Sequence, residues 1–293
     1  MGWQIAGKRP SQERLLRMTG WVEKLDVVAR SSGSLVCVGL DPDPRRMAVN
    51  DVAEFNRAIV DATKDFVCAY KPQLAFYEAL GIDGLLALEK TISHIKDVAP
   101  DTLLIGDCKR GDIGSTAAAY ARAMFDVWDF DTETLHPYLG SESIEPFTER
   151  ADRGAIIVCR TSNPGAAELQ DLKMTDGGVE GTLYEHTARL ASQWNTRGNV
   201  GIVVGATYPE EMAELRGQHP DMPFLIPGVG AQGGDVEAAT RAGVNTEGRG
   251  VMISSSRGII YASEEERKFA GAARKAAESL RDQINEAREM KSQ

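Results

Sequence analysis

The sequence predicts an α/β fold: a closed (β/α)8 TIM barrel with an extra N-terminal helix and a long C-terminal helix. Three observations carry this prediction. Eight short apolar runs, at 34–40, 66–71, 102–107, 133–136, 154–159, 200–204, 224–227 and 250–254, alternate with amphipathic stretches. Most of these runs are continuously apolar, as strands buried on both faces require. Strands separated by helices pair in parallel through crossovers, and eight of them favour closure over a doubly wound open sheet, the alternative with the same element order. No internal repeat, low-complexity tract or proline-rich linker divides the chain, so residues 1–293 read as a single barrel domain. Its core spans about 34–262, with an N-terminal helical extension over 1–33 and a C-terminal helix over 263–293.

The elements follow in order. A helix over 12–29 precedes the first strand. Phe55, Ile59 and Phe66 lie at near-helical spacing, as do Leu85, Leu88, Ile92 and Ile95. The fourth run, 133–136, is the weakest strand signal. Residues 161–180 form the longest loop, rich in Gly and Asp, and long loops in compact domains are often functional lids. Thr207 to Glu210 spells a capping box with Pro209 in the first turn, and Ser263 to Glu266 spells a second that opens the last helix. Trp21, Trp128 and Trp194 read as helix-packing residues. The run 264–291 reads as a solvated helix face with i,i+4 ion pairs.

Composition excludes several classes of function. At 42% hydrophobic and 26% charged residues the chain is a folding one, not a disordered one. No apolar run reaches the roughly 18–20 residues of a membrane span. The first residues lack the apolar core of a secretory signal, so the expected location is cytoplasmic. Lys and Arg total 33 against 43 Asp and Glu, a net charge of −10 that disfavours nucleic acid and anionic membrane as partners. An anionic ligand then needs a local cluster of cations or amides. Cys37, Cys68, Cys108 and Cys159 form no CxxC pair and lie in strand-like runs, so they read as reduced core thiols.

In such barrels the active site lies at the C-terminal strand ends. Those ends are unusually polar here. Asp41 closes the first strand, Lys71 the second, and Asp107 with Lys109 the third; the last two are two apart and share a face. Four alternating charges on one rim each find an opposite neighbour, whereas unpaired they would be costly to bury. The fifth strand ends in Arg160, Thr161, Ser162 and Asn163. Arg160 reads either as partner to an acid or as an aid to anion attraction. The seventh strand ends in GVGAQGG, where backbone amides can approach an anion and Gln232 can donate. Arg257 and Gly258 follow the eighth strand and open a short helix. Loops after strands seven and eight are the usual phosphate site of this architecture. His136 reads as a rim histidine, and His94, His186 and His219 as surface residues.

The segment Leu104-Ile-Gly-Asp107-Cys-Lys109-Arg-Gly-Asp112-Ile113-Gly-Ser-Thr116 closely resembles the signature of the orotidine 5′-phosphate decarboxylase family. GLDPD at 39–43, YKPQ at 70–73, SNPG at 162–165, PGVGAQGG at 227–234 and SRGI at 256–259 resemble the family's other motifs, in its order. The enlarged loops resemble its bacterial type 2 branch. The resemblance implies a role for each position. Lys109 protonates C6 of the pyrimidine. Asp107 sits beside the scissile carboxylate. Lys71 bridges Asp107 and the ribose, and Asp41 binds a ribose hydroxyl. Asp112 and Thr116 reach across a homodimer interface into the partner's site. Ser162 reads the pyrimidine edge, Gln232 bridges base and phosphate, and Arg257 with Gly258 holds the phosphate. No metal and no cofactor are implied. The chemistry fits: loss of carbon dioxide leaves an in-plane carbanion that the π system cannot stabilise, and fixed positive charge can.

Two rival readings remain at this level. Metal-dependent sugar-phosphate relatives of the same barrel carry an acid at the end of strand two, where this chain has Lys71. A non-catalytic nucleotide-binding barrel would keep the phosphate site and lose the charges.

Overall fold

The computed structural model describes residues 20–230 and 234–291. Ten strands are described: β1 (Val36–Leu40), β2 (Ala69–Pro72), β3 (Leu103–Arg110), β4 (Thr132–Leu135), β5 (Gly154–Arg160), β6 (Lys173–Asp176), β7 (Val179–Thr182), β8 (Val200–Val204), β9 (Phe224–Pro227) and β10 (Val251–Ser255). Eight close a barrel in the order β1-β10-β9-β8-β5-β4-β3-β2, every pairing parallel. Each expected run is a barrel strand, with edges moved by a few residues.

The helices are α1 (Trp21–Ser32), α2 (Val52–Thr63), α3 (Leu74–Glu78), α4 (Gly81–Val98), α5 (Gly114–Arg122), α6 (Ser141–Thr148), α7 (Leu183–Trp194), α8 (Pro209–Gln218), α9 (Val236–Gly243), α10 (Arg257–Ile260) and α11 (Phe269–Lys291). None of the described helices is long and apolar enough to cross a membrane. Local chemistry sets their ends. Asp51 caps α2 by accepting from the Glu54 amide, and α2 then buries Phe55, Ile59 and Val60 on one face. Gly33, with φ of 60°, ends α1 in the left-handed region.

Alternate strand residues face opposite layers. Outward residues such as Val36, Val38 and Leu40 pack against the helices. Inward residues, among them Cys37, Ala69, Ile105, Ile156, Leu225 and Met252, fill the barrel. That inner cluster also contains Trp21, Leu25 and Val28 of α1, which plugs the N-terminal end of the barrel. The Trp21 indole donates to Thr132 Oγ1 at 2.6 Å. A Cβ on Gly154 would fall 2.3 Å from that ring, so only glycine lets the plug seat. With one end closed by apolar packing, the site is left to the other.

Several expectations need correction. The 161–180 segment is not a plain loop: it holds a 3-10 turn at Pro164–Glu168 and an antiparallel hairpin of β6 and β7. Gly177 and Gly178, both at positive φ, make its two-residue turn. Neither expected capping box forms. Helix α8 starts at Pro209 without a side-chain cap, and Ser263 only accepts from the Glu265 amide in a turn before α11. The box that does form is Thr182 with Glu185, on α7. Helix α11 is more than a solvated face: Phe269, Ala273, Ala277, Leu280, Ile284 and Ala287 are buried at helical spacing. His94, His186 and His219 are all half-buried rather than on the surface. Of the helix expected over 12–29, only α1 from Trp21 onward falls within the described residues. All four cysteines are free.

Replacing Trp21 with alanine empties the plug and orphans Thr132. Its unfolding free energy is expected to fall by roughly 3–5 kcal/mol, measured by denaturant titration. A loss under 1 kcal/mol would mean that α1 is not part of the core.

Candidate active site

The C-terminal rim of the barrel is where charge collects. Strands β1, β2 and β3 lie side by side there, which puts Asp41, Lys71 and Asp107 in one arc. The Asp107 carboxylate sits between two lysines. Its Oδ2 accepts from Lys71 Nζ at 2.5 Å and its Oδ1 from Lys109 Nζ at 2.5 Å. Lys71 and Asp107 are almost wholly buried, while 45% of the Lys109 side chain stays exposed. Lys109 is therefore the solvent-facing member of the triad.

Burial alone would discharge both members of the inner pair. For Lys71 it pulls the pKa down, yet the carboxylates of Asp107 and Asp41 more than offset it, and the net shift is upward from 10.5. For Asp107 burial pulls upward, yet Lys71 and Lys109 together hold it well below 3.8. Both stay charged at neutral pH.

The backbone of β3 is bent to make this possible. Gly106 pairs with Glu133 and Arg110 with Leu135, so the register of β3 slips between them. Lys109 takes up the slack at φ of 49°, a left-handed conformation that costs a non-glycine residue about 1–2 kcal/mol. Thr134 of β4 holds the distortion. Its Oγ1 accepts from the amides of Cys108 and Lys109, at 3.1 and 3.0 Å, and donates to Asp107 Oδ1 at 3.0 Å.

Asp41 lies at the end of β1 with its Oδ1 buried and without a hydrogen-bond partner among the described residues. Tyr261 anchors that segment: its hydroxyl donates to Asp41 O at 2.8 Å and accepts from the Asp43 amide at 2.5 Å. Gly39 lets the last strand's loop come close, since a Cβ there would fall 1.8 Å from Ser256 Oγ. Arg257 and Gly258 begin α10 and are exposed. Gly228 and Gly230 adopt positive φ in the turn after β9, where glycine alone is relaxed. Gln232 lies outside the described residues.

Ser162 follows β5 and packs over Gly205, whose missing Cβ would come within 2.8 Å of Ser162 Oγ. Arg160 just before it is buried. Its guanidinium lies over the Tyr208 and Tyr184 rings, at 3.9 and 5.1 Å from their centroids, and pairs with Asp171 at 2.7 Å. Arg160 thus anchors the 161–180 segment, resolving the choice left open by the sequence. Asp112 does not join the triad: its carboxylate accepts from the Ile113 amide at 2.8 Å. Thr116 is exposed in the first turn of α5. His136 packs against Gly111. Among the described residues, no three His, Cys, Asp or Glu side chains converge as metal ligands would.

Residues 34–272 match the model of the Orotidine 5′-phosphate decarboxylase / HUMPS family. The chain belongs to this family. An orotidine 5′-phosphate decarboxylase of Dehalococcoides mccartyi is 51% identical over 266 residues, covering 90% of this chain and 97% of the relative. Among solved structures, Leishmania donovani OMP decarboxylase superposes with a TM-score of 0.79 at 36% identity, covering 92% of this chain and 99% of that one. Leishmania donovani UMP synthase gives 0.81 at 37% identity, covering 92% of this chain; the chain spans only 57% of that longer protein. Within the segment that resembles the family's signature, Asp107, Cys108 and Lys109 form the bulged end of β3, and Asp112 follows two residues after the strand. Thr134 and Tyr261 escaped the sequence reading, because neither bears a charge nor stands in a recognisable motif.

Two outcomes test this geometry. Thr134→Val takes the acceptor from two part-buried amides and the hydroxyl donor from buried Asp107, and is expected to cost about 1–3 kcal/mol of stability, read from denaturant melts. A neutral result would remove Thr134 as the support. The ion pair carries its own pH signature. Asp107 is held below 3.8, so its contribution is lost as pH falls beneath that value; Lys71 is held above 10.5, so its contribution is lost as pH rises beyond it. The stability gap between wild type and Asp107→Asn should be flat from about pH 5 to 9 and shrink on acidification.

Proposed function

We propose that this chain is a carboxy-lyase that converts orotidine 5′-phosphate to uridine 5′-phosphate, a step of pyrimidine biosynthesis. The observation that carries the reading is the Asp107 carboxylate held between Lys71 and Lys109 at the barrel rim. Relatives about 50% identical over most of the chain bear the name of that activity.

The chemistry follows from the triad. The bond from C6 to the carboxylate breaks, and its electron pair stays on C6 in the ring plane. Lys109, kept beside Asp107, presents fixed positive charge where that pair develops. Lys109 Nζ then transfers a proton to C6, carbon dioxide leaves, and solvent returns a proton to the half-exposed amine. Asp107 lies beside the substrate carboxylate in this scheme. Its charge is locked in by two lysines and cannot be relieved by protonation, so the repulsion ends only when carbon dioxide departs. Lys71 holds Asp107 and reaches the ribose. The unpartnered Asp41 Oδ1 fits a ribose hydroxyl. Ser162 faces the base, and Gln232, Arg257 and Gly258 take the phosphate. Phosphate binding energy is then available to settle the 161–180 segment over the site and exclude water.

The active unit is a homodimer in this reading. Ile113, Tyr138, Leu139 and Phe76 expose large apolar side chains after three successive strands, β2, β3 and β4. Asp112, bonded to the Ile113 amide, and Thr116, exposed in the first turn of α5, follow β3 beside this apolar surface, which fits their serving the partner's site. A single barrel domain and a cytoplasmic location complete the reading; four free cysteines fit a reducing compartment.

Purified protein mixed with orotidine 5′-phosphate in EDTA is expected to consume it, followed by pyrimidine absorbance. Lys109→Ala is expected to lose at least about 10³-fold in kcat, since it removes both the charge and the proton donor. A folded wild type without turnover would overturn the assignment.

A further inference from the structure

Behind the triad, on the other face of the sheet, sits an acid that the mechanism above does not use. Glu133 neighbours Thr134 on β4, so the two side chains leave the strand on opposite faces. Thr134 faces the barrel interior and Asp107. Glu133 faces the layer between sheet and helices, and it is fully buried. Its Oε1 accepts from the Cys108 thiol at 3.0 Å, and its Oε2 is buried without a hydrogen-bond partner among the described residues. Cys108 is the residue between Asp107 and Lys109.

The β3 bulge is therefore gripped twice. From inside, Thr134 takes the amides of Cys108 and Lys109. From outside, Glu133 takes the side chain of Cys108. Between the pairings Gly106–Glu133 and Arg110–Leu135 lie three residues of β3 against one of β4. Such a distortion persists only where its surroundings over-determine it. A buried carboxyl is an expensive choice for the outer grip, since an apolar residue would fill that layer at no desolvation cost. Its expense is bearable only in the neutral form. Burial pushes the Glu133 pKa up to about 8, with the Cys108 hydrogen bond and Arg110 pulling the other way. The groups around it offer little else. Arg110 on β3 already pairs with Glu78 at the end of α3 and lies over the Tyr120 ring of α5, and β5 meets Glu133 with Ala155.

We propose that Glu133 is a positioning residue for the decarboxylation, working as an un-ionised acid against the Cys108 thiol to hold the bulge from which Lys109 reaches the substrate. It touches neither substrate nor reacting atoms. When it loses its proton, the buried carboxylate must seek solvation, the outer grip is released, and Lys109 is no longer held at its left-handed turn. The inference rests on Lys109 being the proton donor.

The test compares wild type, Glu133→Gln and Glu133→Ala in the orotidine 5′-phosphate assay from pH 6 to 9.5. Glutamine keeps the shape and never ionises, so Glu133→Gln should keep neutral-pH kcat within about threefold, with its alkaline fall moved up by a pH unit or more. Glu133→Ala should lower kcat roughly 10- to 100-fold with KM little changed, as a small misplacement of a catalytic group does. Unfolding is followed alongside. A raised acid pKa gives stability that is whole below 4.5 and lost as pH climbs to about 8, so wild type should lose ground to Glu133→Gln across that window. An alkaline limb unmoved in Glu133→Gln, or a kcat unmoved in Glu133→Ala, overturns the positioning role. No turnover by wild type at pH 7 would instead sink the decarboxylase reading itself.

Discussion

The site depends on one carboxylate that stays charged at neutral pH although it is buried. Asp107 is buried at the rim with a lysine on each oxygen, and each partner needs the others. Without Asp107, Lys71 would be a buried cation with only Asp41 to answer it. Without Lys71, Asp107 would be a buried anion leaning on a half-exposed lysine. Removing one member of such a pair typically costs about 3–5 kcal/mol, far more than the pair contributes while whole. The cluster is thus a poor source of stability and a rigid source of field. That is what a reaction needs when it builds negative charge on one ring carbon and has no electron sink to accept it.

The barrel divides its labour along its axis. One end is packed shut by Trp21, Leu25 and Val28 of α1, with Gly154 cut away to admit the indole. The other end carries the charges. Apolar packing at the bottom lets the top be strained. Lys109 at positive φ, the slipped register of β3 and the orphan oxygens of Asp41 and Glu133 all cost stability, and all lie at or just behind the rim.

Much of this was legible in the residues. Eight apolar runs became eight barrel strands because a parallel strand buried on both faces has little freedom in composition. Lys71 and Asp107 were legible because charges at successive strand ends are too costly to be accidental. The bend at Lys109 was not, since nothing in a Lys codes for a left-handed backbone; the distortion comes from the pairing with β4. Thr134 was hidden for the same reason, as one Thr in the weakest strand signal of the chain. The β6–β7 hairpin is legible in Asp176-Gly177-Gly178, whose two glycines supply the positive-φ turn that the expectation of a plain loop over 161–180 lacked. The capping-box spellings at Thr207 and Ser263 misled because tertiary packing, not local sequence, decided where α8 and α11 begin. Trp21 looked like any helix-packing residue, because a sequence does not say which end of a barrel a helix covers.

The first and last strands lie side by side, and the Tyr261 hydroxyl holds the backbone at Asp41 from 220 positions away. This has a bearing on biosynthesis. A ribosome releases β1 and its aspartate long before it reaches the segment that completes the pocket. Until β10 emerges, the growing chain has an open seam and no assembled place for a nucleotide. Such long-range closure is slow to form. Substrate in the surrounding fluid can steady the finished protein by mass action, but it offers no template to the unfinished one. Chains cut short before that last strand would be expected to be inert rather than partly active.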